Sequence, residues 1–317
     1  MSPSPLSEPR HLLVANAALP PSSLPLPPLP HLATVLALAR VERVTEVDDE
    51  NPATAHELAL AHAHGLPGEP GRVAWAAFAS GIRGTPCAWL TPAHLQTGLD
   101  TVELSAHGPL RLSEADSRAL LAACAPLLAD DSLAASHAAP GLWLAQGELL
   151  DKLRTVSPER AAGRRLTRGQ LARADDAAQQ RRLARLQSEL EMLLASHPLN
   201  HAREAAGLPP VNALWLHGAG ALPASWTPAP GVLVAAQLTE LPPGDAAADP
   251  TAHAAAWNRI DAELAAPLAA ALRAGTPVRL TLSGPRRAIT LRAERGAWPR
   301  LRGKMLRLSL PELLPTL

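Results

Sequence analysis

The side chains best suited to meet a ligand lie in His197–Gly220, HPLNHAREAAGLPPVNALWLHGAG. His197, Asn200, Arg203, Asn212 and His217 recur there at places where a purely structural segment has no need of them. Pro198 suits the first position of a helix and pushes His197 out of helical geometry. Gly207 stops that helix, and Pro209-Pro210 keep it from resuming. Asn200 lies one turn before Arg203 and Glu204, so the three can share a face. VNALWLH then reads as a strand too apolar to have a wet face, which predicts a central place in a sheet. The strand exits into Gly218-Ala219-Gly220. In open α/β sheets ligands collect beyond the carboxyl ends of strands, and glycines there let backbone N–H groups approach an anion. At that rim His217 can donate to a phosphate, ligate a metal or cap the turn.

Two smaller constellations compete with it. TPAHLQTGLD brings Thr91, His94 and Asp100 close in sequence. The His–Asp pair suits acid–base work, and the same residues suit a turn with a capping Asp. His56, His62 and His64 ride one helix, with His56 and His64 two turns apart; a metal there would want a carboxylate, and Glu57 is displaced around the helix. Between Lys152 and Arg185 ten basic residues stand against three acids. Several of these arginines fall early in a helix, against its dipole, and so need another reason to be there.

These residues need elements to position them. The chain of 317 residues has zero formal net charge, no Tyr, one Phe and seven Trp. Nothing global points to nucleic acid or to an anionic membrane. No apolar run approaches a membrane span, and prolines from Pro20 onward interrupt any signal-like segment, so a cytoplasmic protein is expected. Cys87 and Cys124 have neither metal-ligand nor CxxC spacing and read as two unpaired thiols. Residues 1–10 read as a disordered leader and His11–Ala17 as a short strand. Leu19–Pro30 is too rich in proline for regular structure, either a polyproline ligand or a loop packed on the body. Helices are expected at His31–Val41 and Ala53–Gly65, around an acidic turn at Glu46–Pro52. After the apolar run from Cys87 comes a Thr-Pro break, then a strand at Thr101–Leu104. A helix capped by Ser113 and Asp116 carries Leu120, Leu121, Cys124 and Leu128 inward. A strand follows at Gly141–Gln146. Asp175–Ser196 is the strongest helix, with Leu183, Leu186, Leu190, Leu193 and Leu194 in one stripe. WTPAPGVLVAAQ suggests a strand, and a helix or helix pair divides near Pro267. PVRLTLSG and AITLRAE read as a hairpin through GPRR, and KMLRLSL as a last strand. Helices alternating with short apolar strands make the class α/β.

The His197–Gly220 segment resembles a stretch of archaeal-type cofactor-independent phosphoglycerate mutases that runs HPVN-x-x-R-x-x-G-x-P-x-N into a strand and a Gly-x-Gly exit. ERAAGR (Glu159–Arg164) is similar to their Asp-Arg-x-x-Gly-Arg element, and LPPLPHLATVLA to their N-terminal segment. A closer resemblance is to a bacterial regulatory protein group of the RpfE type, from about His56 to Gly220 and again at VRLTLSG (Val278–Gly284). It takes in AWLTPAHLQTGLDTVEL, RRLARLQSELEMLL and AWNRIDAEL. The resemblance implies an alkaline-phosphatase-like central sheet flanked by helices, built from 11–55 and 175–317, with a smaller α/β subdomain inserted at 56–174. It also implies a two-metal site and a Ser phosphoryl acceptor. This sequence departs from both: the family's first ligating Asp follows the first strand, whereas here VANAALPP follows and no Asp precedes Asp48. Ser22 and Ser23 lie in a proline loop without the family pattern.

The expectation is therefore a non-catalytic or poorly active mutase-like protein in a regulatory role, binding a small phosphorylated or carboxylated metabolite. Arg160 and Arg164 would pair with the anion; Asn200, Arg203 and Asn212 would shape the site; His217, Gly218 and Gly220 would close it. No cofactor is expected, Mn or Mg entering only if the chain is instead a metal-dependent mutase or phosphatase. A protein–protein adaptor using the basic helix face and the Pro-Leu loop is a third expectation.

Overall fold

The structure is a computed structural model that describes residues 10–17, 26–98, 101–104, 110–161, 163–235, 250–284, 286–295 and 308–317. The expected leader up to residue 9, most of the proline loop, Asp100 and the first part of the expected last strand lie outside the described residues. The strands are β1 His11–Val14, β2 Ala39–Glu46, β3 Cys87–Ala93, β4 Leu95–Thr97, β5 Val102–Leu104, β6 Ala134–Ala139, β7 Leu142–Gln146, β8 Arg154–Thr155, β9 Arg165–Leu166, β10 Ala172–Arg173, β11 Ala213–Gly220, β12 Val232–Ala235, β13 Val278–Ser283 and β14 Arg287–Ala293. The helices are α1 Pro30–Leu36, α2 Ala55–His64, α3 Trp75–Ser80, α4 Glu114–Asp130, α5 Pro158–Ala161, α6 Arg168–Leu171, α7 Ala177–Ala195, α8 Leu199–Ala205, α9 Pro250–Arg259, α10 Ala266–Arg273 and α11 Leu310–Leu313. The chain is mixed α/β and divides into two units, one of residues 1–50, 54–65 and 228–317 and one of 51–53 and 66–227. The main segment of the inserted unit, 66–227, thus begins and ends later than the expected 56–174, the short piece 51–53 joins it from before that range, and the unit is not the smaller. The leucine stripe of α7 accounts for the shift, because it closes the core of the inserted unit.

The first unit is built on a five-stranded sheet in the order β12-β1-β13-β14-β2. β1 runs parallel to β12 and β13, while β13–β14 and β14–β2 are antiparallel. Alternate residues leave each strand on opposite faces. Leu12, Val14, Leu280, Leu282, Ile289 and Leu291 share one core with Leu32 and Val35 of α1, Trp257 of α9 and Leu268 and Leu272 of α10. On the other face Leu13 and Ala288 meet Ala55 and Ala59 of α2. That second face also carries a buried polar ladder. His11 Nε2 lies 2.8 Å from Thr281 Oγ1, which lies 2.8 Å from Thr290 Oγ1. Ser283 Oγ donates to the Val14 carbonyl at 3.2 Å, so the 3.0 Å contact with His56 Nδ1 is a bond that the imidazole donates.

The helix expected at Ala53–Gly65 is present as α2, with a capping box at its start that the expectation did not include. Thr54 and Glu57 cap each other's backbone, and Gly65 ends the helix at φ 65°. The helix expected through Val41 instead ends at Leu36, and Ala39–Glu46 is a strand. Its Arg and Glu residues suit a helix, but β14 offers a free edge and long-range pairing decides. The division expected near Pro267 takes another form: a π-helix at Ile260–Ala265 joins α9 to α10. Proline has no N–H to give a carbonyl four residues back, and a widened turn just before it accommodates the loss. From that turn Asp261, buried, accepts the Leu32 N–H at 2.7 Å and the His31 N–H at 3.3 Å, capping the start of α1.

The second unit centres on an antiparallel sheet in the order β11-β3-β7-β6. One face is closed by Leu120, Cys124 and Leu128 of α4 and by Leu183, Leu186, Leu190 and Leu194 of α7. The other carries Ala93 and Trp215 against Leu95, Val102, Val156, Ala161 and Leu171. Among the described residues β11 is therefore an edge strand, where its sequence predicts a central one. It is apolar all round because layers cover both of its faces, not because strands flank it. The expected Thr-Pro break is also absent, since β3 runs through Thr91-Pro92. Pro92 lies beyond Leu90, the last residue that pairs with β7, where no ladder bond is asked of it on that side. Cys87 and Cys124 are both buried free thiols, and burial pushes Cys124 up to about 12. The last residues form the short helix α11 at Leu310–Leu313, where the sequence suggests the end of a strand.

Candidate functional site

In His197–Gly220, α8 starts where Pro198 predicts. Its end is bonded from Gly207 N–H to the Glu204 carbonyl and from Leu208 N–H to the Arg203 carbonyl, with Gly207 at φ 70°. Asn200 and Arg203 turn inward from it, whereas Glu204 is exposed, so the three do not share one environment. The Asn200 amide donates to the carbonyls of Leu194 at 2.8 Å and Val211 at 2.9 Å, and accepts the Val211 N–H at 2.8 Å. One buried side chain thus ties the end of α7 to the start of β11. Asn212 does the same one residue on, accepting from Leu95 N–H at 2.8 Å and donating to the Leu95 carbonyl at 2.9 Å. His94 donates through Nδ1 to the Pro210 carbonyl at 2.9 Å.

Arg203 is 5% exposed, and its burial lowers its pKa while Asp116 opposes the shift. Nε donates to the Pro209 carbonyl at 2.9 Å and Nη1 to the Arg111 carbonyl at 3.2 Å. Nη2 is buried with no hydrogen-bond partner. A cation held by two neutral carbonyls in a desolvated place attracts anionic charge.

At the end of β11 the register with β3 shifts between His217, opposite Trp89, and Gly220, opposite Cys87. Gly218 at φ +63° makes that bulge possible, and a Cβ on it would sit 3.0 Å from Trp75 Cβ and 3.3 Å from Ala76 N. A Cβ on Gly220 would meet Ala74 Cβ at 3.2 Å. The glycines thus admit α3 and the residue before it. The sheet is antiparallel, so the rule that ligands gather at the carboxyl ends of parallel strands has no purchase here. His217 Nε2 lies 3.0 Å from Thr91 Oγ1, so two candidates from separate stretches meet. Burial pushes this imidazole down to about 4, so it is neutral at neutral pH.

Arg160 is buried and donates from Nε to the Asn51 carbonyl at 2.8 Å, while Arg164 lies half-buried after α5. Asp100 lies outside the described residues. Among the described residues no group of three or more His, Cys, Asp or Glu is placed to hold a metal ion; His56 meets Ser283 instead. The sequence reading missed Asp131, 2% exposed at the end of α4. Arg182 and Arg185 reach its two carboxylate oxygens at 3.1 and 2.9 Å. That is the reason these arginines tolerate their place against the α7 dipole. The only sequence signal was their being misplaced.

No family model matches the chain, and no curated protein matches it. Among solved structures it is similar to the PH0037 protein from Pyrococcus horikoshii, at 12% identity over 91% of this chain and 88% of that chain, with a TM-score of 0.47. It is also similar to the cofactor-independent phosphoglycerate mutase from Thermoplasma acidophilum DSM 1728, at 12% identity over 90% of each chain, with a TM-score of 0.36.

Proposed function

We propose that this chain binds a small phosphorylated or carboxylated metabolite in its second unit, without metal-dependent turnover, and acts as a regulatory protein of the RpfE type. The observation that carries the reading is Arg203, whose buried guanidinium has two carbonyl partners and an Nη2 with none. The other candidates support it by holding α8 and β11 in place rather than by offering free donors: Asn200 and Asn212 fix the backbone on either side of Pro209-Pro210. Neutral His217 on Thr91 adds a polar pair that can donate or accept.

The test is thermal unfolding of the full chain with 3-phosphoglycerate and with inorganic phosphate, each with and without Mn²⁺ or Mg²⁺. At about 100 times Kd the expected stabilisation is about 2.7 kcal/mol, a rise of roughly 5–10 °C in the melting of that unit. It should appear without metal and vanish in Arg203→Met, a variant checked for native circular dichroism. A shift that needs metal and comes with turnover would replace the reading with a phosphoryl-transfer enzyme. No shift with any of these anions would overturn it.

A further inference from the structure

The strand the sequence does not announce, β2, has an unusual edge. Among the described residues it pairs on one side only, with β14. Val41 and Val44 on it are 50% and 43% exposed, two of the five exposed large apolar side chains of the described residues. Natural edge strands are commonly blunted by Lys, Pro or shortness, and this one has eight residues and neither Lys nor Pro.

We propose that β2 is a self-association edge, pairing antiparallel with β2 of a second copy about a two-fold axis that passes between Glu42 and Arg43, perpendicular to the sheet. In ARVERVTE that axis sets Val41 against Val44, Glu42 against Arg43, Arg40 against Thr45 and Ala39 against Glu46 of the second copy. No like charges face each other. A slip of one residue in either direction sets Glu42 against Glu42 or Arg43 against Arg43. A slip of two sets Arg40 against Arg43, or leaves each valine facing a charged residue.

The bulge in β2 decides whether this register is possible. Residues paired across identical strands by such an axis must leave the sheet on the same face. In a regular strand Val41 and Val44, three apart, leave on opposite faces. Here Thr290 pairs with Arg43 and Leu291 with Val41, so Glu42 is the extra residue. Val41 and Val44 follow Leu291 and Ile289 onto the face that α1, α9 and α10 cover, and Ala39 and Glu46 follow Ala293 and Arg287. Arg43, Arg40 and Thr45 follow Thr290, Arg292 and Ala288 onto the other. Glu42 joins them there, held by Arg279 at 2.6 and 3.0 Å. All four pairs then match face for face, with four valines clustered on one side and two Glu–Arg pairs on the other. A bulge that would ordinarily turn an edge away from partners is what makes this edge complementary to itself.

One strand pair buries less than the ~1,200 Å² of a stable interface, so the dimer should form at on the order of tens of micromolar. Sedimentation velocity of the full chain from about 5 to about 500 µM should show monomer passing to dimer. Arg43→Glu, which opposes two carboxylates on each side of the axis, should keep the protein monomeric. The register is read by oxidative cross-linking of exposed, fold-neutral variants. Val41→Cys mixed with Val44→Cys should give a disulfide-linked dimer, and neither variant alone should. A chain monomeric throughout the range, association untouched by Arg43→Glu, or either cysteine variant linking alone as well as the mixture would overturn the proposal.

Discussion

Three imidazoles, His11, His56 and His217, are each pushed down to about 4 by burial, with Arg279 adding to the effect at His11. All three hydrogen-bond to a hydroxyl, on Thr281, Ser283 and Thr91, and a hydroxyl accommodates a neutral ring without demanding its charge. The unfolded chain takes up these protons near pH 6.5 and the folded one near pH 4. Stability from them is therefore complete above about pH 6.5, falls as pH drops toward 4 and levels off below, at on the order of 2–3 kcal/mol per ring. Denaturant midpoints between pH 7.5 and 4.5 should decline accordingly, and imidazole ¹⁵N spectra at pH 5.5 should show the rings of His11, His56 and His217 neutral. Rings protonated near their ordinary value in the folded chain would contradict the account. Of this, the sequence shows only that His217 stands at a strand end beside glycines. That it meets Thr91 depends on the β3–β11 register, which no local pattern specifies.

Among the elements, what was legible is what local chemistry determines. Ser113 accepts the Asp116 N–H at 3.0 Å, Leu183, Leu186, Leu190 and Leu194 of α7 are buried as one stripe, and β13 and β14 pair antiparallel as expected of a hairpin. What was not legible depends on partners far along the chain. β2 is a strand because β14 is there, and β11 looks central because two layers cover an edge. Asp261 caps a helix some 230 residues away. The Gly218–Gly220 exit has the look of an anion cradle, and its glycines are instead required by a bulge and by the approach of α3. That reading predicts a contrast. Gly218→Ala incurs left-handed strain and a Cβ 3.0 Å from Trp75 Cβ, whereas Gly81→Ala, at φ +78° with nothing within 4 Å, incurs the strain alone. Chemical denaturation should show a loss of roughly 2–4 kcal/mol for the first and about 1 kcal/mol for the second. Equal losses would mean that backbone conformation alone, and not the packing of α3, accounts for Gly218.

At the scale of the whole chain, each unit closes its own hydrophobic core. The inserted one contains both faces of its sheet and is nearly continuous in sequence. The expected return from the insertion stands at 175, before the long helix, and nothing local tells α7 which sheet its leucines will meet. Those leucines pack with Leu120, Trp143 and Leu216, so a fragment ending at 174 would expose an apolar face, and one ending at 227 would not. The short piece 51–53 belongs with it, since the Asn51 carbonyl receives Arg160. A fragment of residues 66–227, which leaves α2 with the first unit, should therefore unfold in one cooperative transition, followed by tryptophan emission from Trp75, Trp89, Trp143, Trp215 and Trp226. It lacks β2, and so it should remain monomeric at concentrations where the full chain associates. A fragment that aggregates or melts without cooperativity would show that this core is not self-sufficient. A fragment that folds and still dimerises would place self-association in the inserted unit and away from the VERV edge.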